Sequence, residues 1–368
     1  KATGTRSVHA NTDYTPFARR RDEAMAAACK AAGARYTTHH DYLLTHPEAV
    51  RTTQGTPYTV FTPFFREAQT YPIQQPQELP EKTSFYTGTL LHAWSGERAS
   101  ILPVENPHLF AKGGRTNALR LLRRLATLTH YAEERDQPHL QATSNLSAHL
   151  KFGTISIREA YHAIAEHLGP EHPLLRQLYW RDFFTHIAYH HPRIFGESFR
   201  TAYDAIPWGN DENLYGAWKE GQTGYPIVDA GMRELRTTGT MHNRTRMITA
   251  SFLVKDLHID WRWGERHFAQ HLADYDPSVN NGNWQWAAST GCDSQPYFRI
   301  FNPWLQQQKF DPECIYIKRW IPELGNLTPA QIHTLARARP SRLAYPQPIV
   351  DHTKQTQEIK AAFAAART

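Results

Sequence analysis

Two tryptophans, Trp284 and Trp286, stand two residues apart in the polar stretch NNGNWQWAASTGC. Residues two apart on a helix point roughly 200° away from each other, so the two indoles face different surroundings. An indole offers a flat face to a planar ligand, and tryptophan is among the most readily oxidised side chains. The pair therefore indicates two separate tasks, in a setting too polar for an ordinary core segment.

Two further segments place polar and aromatic side chains on one helix face, because residues three and four apart on a helix are neighbours. In LLRQLYWRDFF, an amide, an aromatic plate and a guanidinium come together, which suits a flat ligand that carries phosphate. A core tryptophan beside solvated charges has the same spacing, so both interpretations stay open. The residues concerned are Gln177, Trp180 and Arg181 in that segment, and Asn243, Arg244, Arg246 and Met247 in MHNRTRM.

Hydroxyl and amide side chains surround a chain reversal that follows Tyr131 and Arg135, which are themselves four residues apart. Such groups at the start of a helix bind phosphate, although they are also common helix caps. The residues are Thr143, Ser144, Asn145 and Ser147.

Two carboxylates, Asp274 and Asp276, lie just before the tryptophan pair. Their spacing suits a metal site or acid–base catalysis, but no nearby histidine pair or third carboxylate completes a metal site. Pairing of a carboxylate with Arg246 fits better. The chain has no HExxH, GxGxxG or GxxxxGK[ST] motif, and we expect no metal.

The elements that carry these residues fall into two parts. SVHAN, a helix from Pro16 to about Gly33, and RYTTH predict one β-α-β unit of a larger α/β domain. After a proline-rich stretch, helical patterns dominate, among them RTNALRLLRRLATLTHYAEER and a Ser156/Glu159 capping box. We expect an α/β plus all-α chain: a partial α/β domain over 1–68, a linker over 69–112 and an all-helical domain over 113–368.

Composition limits the class of protein. Mean hydropathy is −0.61 and no run approaches the roughly 20 apolar residues of a membrane span. Three cysteines form no CxxC pair, which favours a reduced, intracellular protein. A net charge of +6 suits a polyanionic partner. Nine of the ten tryptophans lie between Trp180 and Trp320, more than core filling explains.

Taken together, the phrases TSNLSAHLKFG, LYWRDFF, TGYPIVDAGMRELRTTGTMHNRTRMITASFLVKDLHIDWRWGERHF and DYDPSVNNGNWQWAASTGCDSQPYFRIFNP resemble the photolyase/cryptochrome family, and most closely its class I cyclobutane pyrimidine dimer photolyases. The match runs in order over about 115–325, and DYTPFARRRDEA resembles the close of the family's Rossmann-like antenna domain. About ninety residues expected before it are absent. The family's antenna chromophore, of folate or deazaflavin type, therefore has an incomplete site here.

The resemblance implies an FAD cofactor at the centre of the helical domain. It assigns the phosphates and ribityl chain to the 131–147 region, and the flavin and ribose side to the aspartates, with Arg246 pairing to Asp274 and Asn280 near the reactive edge of the ring. The expected cofactor residues are Tyr131, Thr143, Ser144, Asn145, Leu146, Ser147, Arg246, Asp274, Asp276 and Asn280.

It also implies light-dependent DNA repair by a carbon–carbon lyase. Excited reduced flavin gives an electron to a flipped-out pyrimidine dimer, the ring splits, and the electron returns. The dimer stacks on Trp180 and Trp286, while arginines neutralise DNA phosphates. The expected substrate residues are Arg135, Gln177, Trp180, Arg181, Asn243, Arg244, Met247 and Trp286. Three further tryptophans match the family's electron-transfer triad: Trp284, Trp261 and Trp208. The triad and Asn280 together form the expected catalytic set.

Departures from the family pattern keep alternatives open. Gln177 stands where dimer-repairing enzymes usually carry Glu and six-four photolyases carry Gln, but the latter have His at the positions of Asn243 and Met247. A cryptochrome-like blue-light receptor is the other alternative, and the retention of Asn280 and both substrate tryptophans favours repair. We expect a monomer that acts on damaged double- or single-stranded DNA in the cytoplasm, at the nucleoid, away from membranes.

Overall fold

A computed structural model describes residues 4–77, 82, 84, 106–140, 142–294 and 296–366. Segment 85–105, the centre of the expected linker, lies outside these residues. The assignment of 69–112 as a linker therefore stays a prediction, as do the domain boundaries on either side of it.

The expected β-α-β unit is present. Strand β1 (Ser7–Asn11) and strand β2 (Arg35–His39) pair in parallel, and helix α1 (Pro16–Ala31) connects them. The hydroxyl of Thr15 accepts a hydrogen bond from the Ala18 amide, 3.2 Å away, which caps a helix whose first residue is a proline. Among the described residues these two strands form the sheet, and the element is part of an α/β unit as predicted.

The regular elements described after β2 are helices, apart from an isolated bridge between Arg51 and Pro57. Proline at the first turn and Ser, Thr, Asp or Asn caps begin many of them, and the Ser156/Glu159 capping box is formed as predicted. The α-helices are α2 (Phe61–Ala68), α3 (Arg115–Arg124), α4 (Tyr131–Glu134), α5 (Ser147–Lys151), α6 (Ile157–Leu168), α7 (Pro173–His190), α8 (Glu212–Glu220), α9 (Pro226–Thr238), α10 (Asn243–Lys255), α11 (Trp261–His271), α12 (Pro277–Ala288), α13 (Pro303–Phe310), α14 (Ile315–Trp320), α15 (Pro329–His333) and α16 (His352–Ala365).

One predicted helix is broken. The amphipathic segment 115–135 forms α3, a 3-10 turn over Leu125–Thr127 and the short α4. The same apolar side chains are still buried, since Leu125, Leu128 and Tyr131 join one core cluster. The periodicity was therefore right about burial and wrong about continuity.

The main core lies where α8, α9, α10, α11 and α12 meet, and it contains Trp218, Trp261 and Trp284. Close approach of the helices depends on two glycines. A Cβ on Gly264 would lie 2.1 Å from the Trp284 ring, and a Cβ on Gly282 would lie 2.1 Å from the Phe184 ring. Gly282 thereby makes room for a helix–helix contact with α7.

Residues before the expected linker are fastened to α7. Phe61 and Phe64 of α2 share a core cluster with Phe183, and the Thr45 amide donates to Asp182 over 3.0 Å. The α7 helix is consequently buried on several sides.

Candidate active site

A cavity of about 570 Å³ opens among α7, α10 and α12 and the 131–147 segment. This volume lies within the usual range of cofactor and substrate pockets. Arg244, Trp208 and Trp261 are the predicted site residues that do not line it. Those that do are Tyr131, Arg135, Thr143, Ser144, Asn145, Leu146, Ser147, Gln177, Trp180, Arg181, Asn243, Arg246, Met247, Asp274, Asp276, Asn280, Trp284 and Trp286.

The expected pairing of Arg246 with Asp274 is formed. One guanidinium nitrogen lies 3.0 and 3.2 Å from the two carboxylate oxygens, and the same side chain donates to the Met241 carbonyl. Burial alone would raise the pKa of Asp274, but Arg246 and the Ser147 hydroxyl more than offset it, and the net pKa lies below its ordinary value. The carboxylate is therefore held ionised at the cavity wall.

Asp276 is a second buried carboxyl, with a different environment. It caps α12 by accepting from the amides of Ser278 and Val279, and Lys151 lies 3.3 Å away. Burial raises the pKa of Asp276 to about 6 against the opposing effect of those amides.

Within the described ranges, no three His, Cys, Asp or Glu side chains are grouped to hold a metal ion.

The 143–147 segment presents polar groups at one end of the cavity. The Thr143 hydroxyl donates to the Asn145 side chain over 3.0 Å, and Asn145 has a φ of 56°, the left-handed conformation that a tight reversal requires. Ser147 begins the five-residue α5. The predicted chain reversal is thus present, with its hydroxyls beside the cavity.

Trp284 and Trp286 meet different surroundings, as their spacing predicts. Trp284 is buried in the main core with 2% of its surface exposed, and its ring contacts Phe268 at 4.9 Å between centroids. Trp286 is half-buried. Both indoles nevertheless border the same cavity.

Trp180, which with Trp286 is expected to stack on the dimer, has a partner that the sequence did not reveal. The ring of Trp180 stacks on Phe61, with centroids 3.6 Å apart and planes at 6°. Phe61 lies 119 positions earlier in the chain, so no local spacing could indicate the contact. One face of Trp180 is therefore already covered, which fixes the ring at the cavity wall.

Two of the three arginines expected at DNA are committed elsewhere. Arg244 lies 2.6 Å from Asp136 and stacks over Phe310, while the guanidinium of Arg181 donates to the Tyr42 carbonyl and lies 3.8 Å from the Tyr42 ring centroid. Burial also lowers the pKa of Arg181 to about 10. This geometry does not favour contact of either side chain with DNA phosphates.

Ionisable residues that sequence reasoning missed also border the cavity, among them Glu234 and His242. Glu234 accepts hydrogen bonds from the Tyr316 hydroxyl and the His242 amide. Burial lowers the pKa of His242 to about 4, so its imidazole is neutral and adds no charge to the cavity. The only available signal was the position of His242 beside Asn243.

Trp261 and Trp208, the other two residues of the expected triad, lie outside the lining of the cavity. Trp261 is buried with Trp284 in the main core, and the half-buried Trp208 packs on the outside of that core. Burial thus decreases from Trp261 to Trp208, and the role of the triad stays a prediction.

No helix in the part of the chain that the structure describes is long and apolar enough to cross a membrane.

The cavity combines a buried ion pair, a polar end and aromatic walls. Such a combination suits a large amphipathic cofactor.

Comparisons with known proteins agree with this geometry. The model for the FAD binding domain of DNA photolyase matches residues 174–365, and the DNA photolyase model matches residues 1–82. The deoxyribodipyrimidine photo-lyase of Halobacterium salinarum is 40% identical, over 97% of this chain and 78% of its own length.

Two solved structures are similar as well. The archaeal photolyase from Sulfolobus tokodaii, which contains two FAD molecules, has a TM-score of 0.85 and 41% identity over 97% of this chain and 79% of its own. The cryptochrome of Synechocystis has a TM-score of 0.82 and 28% identity over the same shares of the two chains.

Fold and cavity together define a flavoprotein with a helical FAD-binding domain behind an α/β unit. The chain belongs to the DNA photolyase family, within the photolyase/cryptochrome fold.

Proposed function

We propose that this protein is a light-dependent DNA repair enzyme that splits cyclobutane pyrimidine dimers. One observation carries the proposal: the residues expected to hold FAD and, apart from Arg244, those expected to hold the dimer border a single cavity. Relatives of about 40% identity that are deoxyribodipyrimidine photo-lyases support the same activity.

FAD fits the donor set of the cavity. The 143–147 hydroxyls and amides would take its phosphates and ribityl chain, and the ionised Asp274 with Arg246 would take the flavin side. Asn280 would face the reactive edge, and its amide nitrogen donates to the Glu265 carbonyl over 3.1 Å, which fixes the orientation of the side chain. When bound and reduced, FAD would itself act as a one-electron donor after excitation by light.

The chain's own part in the reaction is to bind and orient the dimer. Trp180, held from behind by Phe61, and Trp286 would stack against its two bases. The amide of Gln177 would donate a hydrogen bond to a dimer carbonyl. These contacts need no general base or nucleophile on the protein.

The test is illumination of the purified, FAD-loaded and chemically reduced protein with an oligonucleotide that carries one thymine dimer. Recovery of intact thymines in the light, and none in the dark, is the expected result. A parallel oligonucleotide with a six-four photoproduct should remain unrepaired. Absence of repair in the light by protein shown to hold reduced FAD would contradict the proposal and favour a receptor role.

A further inference from the structure

Helix α2 carries Phe61, the ring that backs Trp180, but it begins without a cap of its own. The residue before the helix is Val60, whose side chain makes no capping hydrogen bond. The missing partner comes from 232 positions later in the chain, where the Asp293 carboxylate accepts a hydrogen bond from the Phe61 amide over 3.2 Å. A carboxylate is a favourable acceptor at the positive end of a helix, so Asp293 fixes where α2 begins.

A second contact joins the same two segments. The thiol of Cys292, a weak donor, faces the Thr59 carbonyl at 2.8 Å. Burial raises the pKa of this thiol, so it stays protonated and able to donate. Two adjacent residues, Cys292 and Asp293, thus hold two positions at the start of α2, which fixes an orientation as well as a distance.

The turn that carries Cys292 and Asp293 is packed tightly against the last turn of α12. The amides of Thr290 and Gly291 both donate to the Gln285 carbonyl, over 3.1 and 3.0 Å. A Cβ on Gly291 would lie 2.8 Å from the Gln285 Cβ, so this close approach needs a glycine.

Gln285 is itself firmly anchored. It is 2% exposed, and its amide nitrogen lies 3.2 Å from each of the carbonyls of Ile194 and Glu197, to which it donates. Its amide oxygen accepts from the Phe199 amide over 2.8 Å. Since Trp286 is the next residue along α12, the turn at 290–293 is rigidly connected to the helix end that carries Trp286.

Phe61 transmits the position of α2 to the other stacking ring. Its ring is 1% exposed and lies parallel to that of Trp180, with centroids 3.6 Å apart. The Arg176 guanidinium also lies against Phe61, 5.1 Å from the ring centroid. Phe61 therefore has no free space in which to shift, and a movement of α2 would displace or tilt the Trp180 ring.

We propose that Asp293 is a positioning residue for dimer recognition. It joins the end of α12, which carries Trp286, to the start of α2, which backs Trp180, and so sets the separation of the two indoles. The inference rests on the proposed function, in which the dimer stacks on both rings. Rings already held at the correct separation bind an extruded dimer without first being ordered. Undamaged duplex is bound through its phosphates, so Asp293 acts selectively on damaged DNA.

Binding in the dark to a duplex with one thymine dimer, and to the same duplex undamaged, measures this role by fluorescence anisotropy. Asp293→Ala should weaken binding to the damaged duplex about tenfold, because stacking on the two rings is impaired, and to the undamaged duplex by less than about twofold. Asp293→Asn keeps an oxygen acceptor for the Phe61 amide and should weaken binding to the damaged duplex by less than about threefold.

Asp351→Ala is the matched control. Asp351 caps α16 by accepting from the Lys354 amide over 2.9 Å, and the described residues of α16 lie outside the lining of the cavity. Each alanine variant loses one helix cap, so both should lower the melting temperature by a few degrees. Asp293→Ala should in addition lower the preference for damaged DNA, which separates positioning from a general loss of stability.

A double-mutant cycle tests whether Asp293 acts through the stacking rings. Adding Asp293→Ala to Trp286→Ala should weaken binding to the damaged duplex by less than about threefold, because one of the two rings is already absent. If the losses of the two single variants multiply instead, Asp293 acts independently of the rings and the inference is wrong.

The remaining outcomes separate this inference from the proposed function. If the wild type prefers the damaged duplex and Asp293→Ala keeps that preference, the inference is overturned and the proposed function stands. Equal losses in Asp293→Asn and Asp293→Ala would also overturn it, since the hydrogen bond to Phe61 would not be the cause. Wild-type protein with bound, reduced FAD that neither prefers the damaged duplex nor repairs it in the light would contradict the proposed function, and the inference with it.

Discussion

At the scale of single residues, the Arg246–Asp274 pair is the most consequential buried charge in the cavity. Only 9% of the Asp274 side chain is exposed, so Arg246→Ala would leave a carboxylate without a partner. Breaking a buried pair in this way costs about 3–5 kcal/mol, and we expect that loss in the free energy of unfolding together with loss of bound FAD.

Denaturant unfolding and flavin retention after gel filtration measure the two effects. The matched control is Arg236→Ala, since Arg236 pairs with Glu220 where both side chains are at least half exposed. Its unfolding free energy should change by no more than about 1 kcal/mol. Equal losses in the two variants would show that burial of the Asp274 pair is unimportant.

Asp182 gives a prediction for pH dependence. It is fully buried, and burial raises its pKa to about 7, above the ordinary 3.8, although Arg181 opposes the shift. The folded protein thus holds this proton more tightly than the unfolded chain. The contribution to stability is present below pH 3.8 and is lost as the pH rises toward 7.

Asp182→Asn removes this titration and keeps an oxygen acceptor for the Thr45 amide. The variant should gain stability over the wild type progressively between pH 4 and 7, by up to roughly 1.4 kcal/mol for each unit of pKa shift. Urea unfolding at several pH values measures the margin. Asp211→Asn, at an exposed helix cap, is the control, and a margin at Asp182 that does not change with pH would refute the argument.

The two recognition tryptophans should respond differently to removal. Trp286→Ala removes a stacking surface worth about 1–3 kcal/mol per base, and binding to dimer-containing DNA should weaken accordingly with little change in melting temperature. Trp180→Ala should also lower the melting temperature, because Phe61 loses its stacked partner. Fluorescence anisotropy with damaged and undamaged duplexes measures binding, and an equal loss on both duplexes would argue against dimer stacking.

At the scale of the helices, α12 depends on a glycine for its distance from α7. A Cβ at Gly282 would meet the Phe184 ring at 2.1 Å, so Gly282→Ala should destabilise the protein by about 1–3 kcal/mol. Gly216→Ala in α8 has open space around the added carbon and should be neutral or stabilising by up to about 1 kcal/mol. Thermal unfolding compares them, and recovery of stability on adding Phe184→Leu would identify the contact.

Local signals predicted most elements and few of the contacts between them. The β-α-β unit and the Ser156/Glu159 box each depend on neighbours in sequence, and each is present. The break after Arg124 was missed because the apolar periodicity continues across it, and Leu125, Leu128 and Tyr131 are buried in one cluster.

The cavity shows the same difference between what local sequence signals predict and what distant segments contribute. Residue types and family phrases predicted its lining, whereas the partners that orient that lining come from distant segments. Phe61 behind Trp180 and Asp136 beside Arg244 lie more than 100 positions from the residues they hold. Helical periodicity extends over a few turns and carries no information at that separation.

At the scale of the whole molecule, the net charge of +6 favours a polyanion, but the structure decides which cations are available to one. Arg244 is neutralised by Asp136, and Arg181 is buried against Tyr42. Arg135 lines the cavity and lies 4.0 Å from Asp136, a distance too long for a hydrogen bond. Of the three arginines expected at DNA, Arg135 is therefore the one most available for a phosphate.

This assignment predicts how DNA binding depends on salt. Each phosphate contact adds about 0.9 to the slope of log affinity against log salt, so Arg135→Ala should reduce the slope by about that amount for damaged and undamaged duplexes alike. Arg244→Ala should leave the slope unchanged and instead lower the unfolding free energy, because Asp136 loses its partner. Titrations across a range of salt concentrations measure both slopes, and a reduction by Arg244→Ala as large as that by Arg135→Ala would show that the Asp136 pair opens when DNA binds.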